Sequence, residues 1–588
     1  MKHGKSIGYS AFSYSGLRKV TLSNQLKKIK SSVFEGCKKL VSVKGGKNVE
    51  AIEYSAFGDC ILLRNYKLPG NLENIGNYAF YKCASLNTIK MPNTVNSIGT
   101  GAFKRCYGLK KIKFSKQLTE LPFECFAFCT SLEKINIPNN IVKLNGRVFA
   151  KCINLEKIAL SFDMKEVSFK NFKNTKWLEN AVESKFAVTS NGVLLRYYGK
   201  GKHVVIPKKV KKIGCEAFEN NNTVTNVEIK GKIVTIGKCA FQNCRKLKRV
   251  TLPKTVKYIE NNAFYNCYNL KNVDLSGKVT TIGVSAFANC RQLKNVEFGE
   301  NITTIGASAF ASCKEIEKIE LKEKLTSIGE SAFEYCSMLK ELKCPASLKE
   351  IGNFAFRESG LHSIALNEGL ETLGKQAFKR TNISEVLVPA TITKMGAEVF
   401  STCLKLKKVT FSSGFKGSIP KGTFSVSPGI IEIVIPEGVT KIGNEAFMDC
   451  YAIQAITLPE TVQVIGRNAF YNCYGLKKIN IPANVAIISA GAFQNCTEME
   501  EMSIPATVTK IEQYAFDGCR AMKRLNILGK DTEVSEMFLH NGYFYLDDNG
   551  RLPNCGDLIL GCYKGSKAYQ CCIQYYGDAK NITLDAWE

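Results

Sequence analysis

Histidine is almost missing from this chain: 588 residues hold only His3, His203, His362 and His540. None recurs with any period and none lies in a recognisable nucleophile motif, so no Ser/His/Asp-type set is suggested. A P-loop and a dinucleotide fingerprint are also lacking, which removes the obvious nucleotide-dependent classes. No apolar run approaches the ~18 residues of a membrane helix. No secretory signal is read at the start, because Met1-Lys2-His3-Gly4 leads at once into Ile7-Gly8-x-x-Ala11-Phe12. The chain therefore opens inside a repeat, and the expectation is a piece of a longer protein. Carboxylates are plentiful, but no pair stands out as an acid/base couple. Acid falls well short of base, with 52 Asp+Glu against 81 Lys+Arg and a net charge of +29. That balance favours anionic partners such as nucleic acid, anionic glycans or a membrane surface, unless the lysines only solvate a long exterior. The expectation is a protein that is not an enzyme and uses no cofactor and no metal.

What the chain does contain is one phrase, repeated about every 23 residues. A clean copy is Ile236-Gly237-x-x-Ala240-Phe241-x-x-Cys244-x-x-Leu247-x-x-Val250-x-Leu252-Pro253-x-x-Val256. A fixed period in the range of about 20–50 residues signals a solenoid. The landmark phenylalanines run from Phe12 to Phe149 and from Phe218 to Phe516, mostly 23 apart. Between Phe149 and Phe218 the gap is 69, three whole periods. Phe172 and Leu195 fall where the missing landmarks belong, so the coil is expected to continue through this stretch in altered sequence.

Leu247-x-x-Val250-x-Leu252 alternates and reads as a short strand. Pro253 cannot donate to a ladder and ends it. Val256-x-x-Ile259 reads as a second extended piece, the glycine slot (Gly237, Gly283, Gly306, Gly329) as a tight turn, and Ala-Phe-x-x-Cys as a single helical or 3-10 turn. Stacked coils would pair the strands into long parallel sheets. The expected fold is thus a β-rich repeat solenoid of about 23 residues per coil, with stacked short parallel strands.

The phrase resembles the BspA-like class of leucine-rich repeats, over about residues 4–530 and in more than a dozen copies. The altered block looks like one that recurs in that family: Trp177-Leu178, Phe186-Ala187-Val188, Asn191-Gly192-Val193-Leu194-Leu195, Tyr197-Tyr198-Gly199 and Val205-Ile206-Pro207. Asn191-Gly192 between apolar runs is also a hairpin signal. The segment from Gly561 to Tyr569 is similar to the closing segment of such proteins. The resemblance implies a leucine-rich-repeat right-handed superhelix that binds or adheres at a cell surface, or is secreted, without catalysis. The division expected is N-terminal repeats at 1–160, a variant block at 161–212, C-terminal repeats at 213–527 and a C-terminal cap at 528–588.

Sixteen of the 24 cysteines stand three residues after a landmark Phe, and where Cys is missing the slot holds Ser15, Asn221, Ser359, Thr381 or Ser427. All are small and able to bond a nearby backbone group, which points to a packed, weakly polar interior slot. Stacking near the ~4.8 Å coil spacing exceeds the usual ~3.5–4.5 Å of a disulfide, so free thiols are expected. The ladder has no C-x-x-C pairs. Cys555, Cys562, Cys571 and Cys572, with His540 nearby, match no standard zinc spacing; structural thiols are expected there, with a metal or a disulfide as the alternative.

The outward residue between the two inward aliphatics of each strand should line the binding face. Down the chain it gives a basic column, Lys44, Lys67, Lys90 and Lys113, and later an acidic one, Glu228, Asp274, Glu297 and Glu320. Like charges on adjacent strands repel, and a ligand of opposite sign would relieve them. Neighbours could instead neutralise them: Glu133 and Glu156 near the first, Lys248, Lys271 and Lys294 near the second. Basic pairs such as Lys110-Lys111 and Lys248-Arg249 could engage phosphates, but aromatics do not interleave with them, so nucleic acid is possible without being favoured. Tyrosines flanking the Cys turn, such as Tyr451 and Tyr474, are expected to cover the hydrophobic ladder. The leading expectation is a monomeric adhesion or interaction protein that binds a host or matrix protein, or an anionic glycan, across its sheet face. The alternatives are an intracellular scaffold or polyanion-binding protein, and the repeat stalk of a larger protein.

Overall fold

The structure is a computed structural model that describes residues 4–64, 66–160, 164, 167–540, 546–553 and 555–588. His3, residues 161–163, 165 and 166 of the variant block, and 541–545 and 554 near the C-terminus lie outside the described residues. The chain divides into two units, 1–264 and 265–588, each a run of β-solenoid coils.

Most coils make two very short strands. In the first unit Asn226–Ile229 is a clear case: Val227 and Ile229 are buried while Glu228 points outward. It pairs in parallel with Arg249–Thr251, 23 residues on. A second row consists of two-residue strands such as Thr235–Ile236, in parallel with Tyr258–Ile259. Between the rows Pro253 opens a turn that Val256 N–H closes onto its carbonyl at 3.1 Å. The second unit repeats the plan, with Asn272–Leu275 against Asn295–Phe298 and Thr281–Ile282 against Thr304–Ile305.

The glycine slot serves close approach rather than turn conformation. A Cβ on Gly306 would lie 2.8 Å from the Ile282 carbonyl oxygen of the coil before it, and its φ is not positive.

The Ala-Phe-x-x-Cys segment closes through bonds of the 3-10 type: Cys60 N–H reaches the Phe57 carbonyl at 3.2 Å and Gly58 N–H the Ser55 carbonyl at 2.9 Å. It does not wind into a helix, because the residues two before and two after each landmark Phe are left-handed. Ser55 and Asp59 (φ 49° and 57°) flank Phe57; Cys239 and Asn243 (φ 55° and 59°) flank Phe241. The alternation turns every second N–H toward the next coil. Thus Ser32, Phe34 and Gly36 donate to the carbonyls of Tyr54, Ala56 and Gly58 at 2.8, 2.9 and 2.7 Å.

The landmark side chains fill the core. Phe80, Phe103 and Phe126 are fully buried and stack at 5.2 Å between ring centres, within 2° of parallel. The cysteines stitch the same coils in the opposite sense. Cys60 Sγ–H donates to the Phe34 carbonyl at 3.0 Å, Cys83 to Phe57 at 3.1 Å and Cys106 to Phe80 at 3.1 Å. Ser427, standing in a cysteine slot, makes the same bond to the Phe400 carbonyl at 3.2 Å. Burial pushes these thiols up, Cys403 from 9.0 to about 11. All 24 cysteines are free thiols.

The stretch after Phe149 departs from this plan. Phe172 still stacks on Phe149 at 5.8 Å. The chain then makes a helix, Lys176–Glu183, and an antiparallel hairpin, Phe186–Val188 with Val193–Tyr197. Leu195 is buried, but the ring stacked on Phe218 belongs to Tyr197, at 5.0 Å, and Tyr197 N–H makes the landmark bond to the Ala217 carbonyl. The hairpin consumes residues out of period, which moves the landmark by two. In the second unit the last coils lead into a parallel sheet in which Leu558–Tyr563 lies between Arg524–Ile527 and Ile582–Trp587. A helix, Lys567–Tyr576, joins the last two strands, with Ser566 capping it through Tyr569 N–H at 3.1 Å.

Three outcomes follow from the ring stack and the thiol stitch. Phe103→Ala is expected to cost about 3–5 kcal/mol and Cys106→Ala about 1–3 kcal/mol, with Cys106→Ser costing less than Ala because the hydroxyl can keep the bond. Urea unfolding of the three variants measures the order. The ladder thiols should also resist alkylation until the chain is unfolded. Because the folded thiols ionise later than the unfolded ones, their contribution to stability is complete below pH ~9 and declines as the pH rises toward the folded value, about 11 for Cys403. Urea midpoints across that range, in wild type and Cys403→Ser, test the sign; a rising midpoint in wild type would contradict it.

Candidate binding face

The basic column stands outward, but not as one continuous strand row. Lys44 lies in Ser42–Gly45 opposite Thr21, and Lys90 lies directly opposite Lys113. Lys67 is exposed in a segment without strand structure. There Tyr66 takes the inward place and is buried between the Phe57 and Phe80 rings, at 5.2 and 6.0 Å. None of the four lysines is ion-paired among the described residues.

The acidic column belongs to both units. In the first, Glu228 stands between Val205 and Thr251 in register, with Lys230 at 3.9 Å. In the second, Asp274 faces Glu297 across paired strands, and Glu320 lies just beyond them. Lys322 reaches Glu320 at 2.8 Å and Glu300 at 3.4 Å, and its hydrogen bond holds the Glu320 carboxyl below the ordinary range. Lys294 does not serve this column; it pairs with Glu317 at 2.8 Å. The neutralising lysines follow the strand, two residues beyond the acid, rather than preceding it.

The lower end of the basic column opens into a groove of about 800 Å³ within the first unit. Its floor is the outward face of four successive strands, Thr88–Lys90, Lys111–Lys113, Lys134–Asn136 and Lys157–Ala159. Six lysines line it: Lys90, Lys110, Lys111, Lys113, Lys134 and Lys157. Lys90 and Lys113 are register partners, as are Lys134 and Lys157. The variant block supplies the end wall, with Trp177 from its helix and Val188 and Ser190 from its hairpin.

This wall is fixed to the coil beneath it. Lys176 and Trp177 N–H donate to the Ile153 and Leu155 carbonyls at 3.1 and 2.7 Å. Ser190 Oγ–H donates to the Ile158 carbonyl at 3.2 Å, and the Asn191 amide to that of Leu160. The half-buried Trp177 ring packs edge-to-face on Phe172, the last ring of the stack, at 5.8 Å. Glu156, expected to offset the basic column, also lines the groove, but it is held by Lys176 of the wall at 2.5 Å, and its carboxyl is lowered by that bond.

Of the residues read from sequence, the groove brings together Lys90 and Lys113 and leaves out Lys44 and Lys67. The groove also takes in Lys110 and Lys111, a basic pair that the sequence marks as able to engage phosphates, whereas the strand pattern between inward aliphatics does not point to Lys111, Lys134, Lys157 or Trp177. Lys111, Lys134 and Lys157 occupy the other outward position of the same strands, so reading both positions would have found them. Trp177 is one of two tryptophans in the chain and stands just past the last regular period.

Of the other candidates, His203 is exposed and bonded to Asn226 at 2.9 Å, His362 is exposed, and His540 is buried against Tyr576 with its imidazole held low by that burial. Among the described residues no three His, Cys, Asp or Glu side chains converge as metal ligands would, and no helix is long and apolar enough to cross a membrane.

The family model of the BspA type leucine rich repeat region, six copies, matches residues 5–127, 73–191, 196–317, 303–428 and 417–543. The chain belongs to the BspA-type leucine-rich-repeat family. Among solved structures it is similar to a leucine-rich repeat protein from Bacteroides ovatus, at 24% identity over 68% of this chain and 94% of that one, with a TM-score of 0.50. It also matches a leucine rich cell surface protein from Faecalibacterium prausnitzii, at 25% identity over 60% of this chain and 91% of that one, with a TM-score of 0.36. A third is the pneumococcal vaccine antigen PcpA, at 17% identity over 68% of this chain and 95% of that one, with a TM-score of 0.38. No curated protein matches the chain.

Proposed function

We propose that this protein is a non-catalytic binding protein that holds macromolecular partners, proteins or anionic glycans, against its strand face, and that it works at a cell surface or after secretion. The observation that carries this reading is the state of the lysines. The acidic residues Glu228 and Glu320 already have lysine partners, whereas Lys44, Lys67, Lys90 and Lys113 have no ion pair among the described residues. A rigid face that keeps its positive charge unspent is suited to an anionic or acid-rich partner and to fast, salt-sensitive association. The surface setting is what the family likeness implies.

The full chain, displayed against an array of glycans and matrix proteins at low and high ionic strength, tests the reading. Binding should be lost at high salt. Replacing Lys44, Lys67, Lys90 and Lys113 together with glutamine should weaken polyanion binding at least tenfold, while Glu228→Gln with Glu320→Gln leaves it unchanged. Unaltered binding by the lysine variant, or no partner at all, would sink it. Antibody labelling of intact producing cells addresses location separately.

A further inference from the structure

The groove ending at Trp177 has a chemistry more specific than a basic surface. Its six lysines are not ion-paired among the described residues, and its one carboxylate, Glu156, is occupied by Lys176. Two lysine pairs stand directly opposite on neighbouring strands, Lys90 with Lys113 and Lys134 with Lys157, an arrangement that costs stability until something negative lies between them. A concave wall also focuses the field. The four strands span roughly 15 Å at about 4.8 Å per step, so the groove suits a chain with several charges rather than a single ion.

The donors and acceptors narrow the ligand further. The groove offers six ammonium groups and only two neutral polar side chains besides Ser190, those of Thr88 and Asn136, while the Ser190 hydroxyl hydrogen is already given to the Ile158 carbonyl. A peptide laid here would bring backbone N–H groups to the face of a sheet, away from the edge where strand addition could satisfy them. A single-stranded nucleic acid is held by successive aromatic platforms, and here there is one ring. A chain of acidic sugars brings carboxylate or sulfate oxygens for the lysines. Its apolar ring faces suit one indole and the methylene stems of the lysines.

Resting on the proposed function above, we infer that this groove binds a stretch of acidic polysaccharide, its anionic groups on Lys90, Lys111, Lys113, Lys134 and Lys157 and one sugar ring against Trp177.

The chain carries a reporter for this, since Trp177 and Trp587 are its only tryptophans. Heparin oligosaccharides (sulfated) and oligogalacturonates (carboxylated), titrated into the full chain, should change the tryptophan emission in a saturable, salt-sensitive way. The change should persist in Trp587→Phe and vanish in Trp177→Phe. Lys111→Gln, Lys134→Gln and Lys157→Gln combined should weaken binding at least tenfold; these side chains are exposed, and an unchanged circular dichroism melt verifies the fold. Response to only one of the two oligosaccharides still supports the inference and names the anion. Stronger binding of poly-glutamate or oligo-thymidylate, an equal response to neutral dextran, or indifference to the triple variant would overturn it. If an array partner still binds the triple variant, the groove assignment alone fails; if the chain binds nothing, the wider reading fails with it.

Discussion

The main-chain groups of each landmark phenylalanine are what the rest of the solenoid depends on. Phe34 N–H reaches forward to the Ala56 carbonyl of the next coil, and the Cys60 thiol of that coil reaches back to the Phe34 carbonyl. The same carbonyl closes its own turn through Cys37 N–H at 3.1 Å. Three bonds at one residue fix the turn, its neighbour and the spacing between them, and they hold the Phe rings in a buried stack. Most coils place alanine and cysteine, or other small residues, at the two positions beside that phenylalanine, and the strands are no longer than two to four residues in most coils. The high cysteine content reflects this geometry and carries no redox message.

Much of the architecture was legible in the sequence because the period is strict and the inward set is chemically uniform. The substitution of Ser or Thr for Cys pointed to a hydrogen-bonding slot before any partner was known. The identity of that partner, a carbonyl 26 residues back, depends on how coils stack and cannot be read from one copy of the phrase. The glycine slot was legible as a constraint, yet its reason is the close approach of the preceding coil's carbonyl. Counting by 23 placed the landmark at Leu195 when Tyr197 holds it, because antiparallel pairing obeys a different residue count. The candidate face was legible in part: alternation identifies which side chains point outward. The groove exists only because Trp177, Val188 and Ser190 fold back over strands near in space but outside the period.

Charge is distributed along this chain with a purpose that its net value hides. Where carboxylates line the outward positions, as at Glu228 and Glu320, lysines two residues on answer them. Where lysines dominate, as from Lys90 to Lys157, the one nearby acid in the groove is taken up by the wall that closes it. The helix and hairpin that interrupt the repeat thus end the groove and remove its only lined negative charge together. An irregular segment in a regular scaffold is where a general surface acquires a particular shape.

The left-handed residues on either side of each Phe give the turn column a direction. Ser32, Phe34 and Gly36 all donate toward the following coil, and the same holds for Ser308, Phe310 and Ser312 in the second unit. A stack of such coils is therefore polar, its turn-edge amides aimed at the following coil and its turn-edge carbonyls at the preceding one. Two stacks can be spliced only head to tail, since an inverted junction would set carbonyl against carbonyl. Gain or loss of whole coils leaves every junction unchanged. Length is thus a quantity this architecture can alter in steps of one period, at no cost to the logic of its interior.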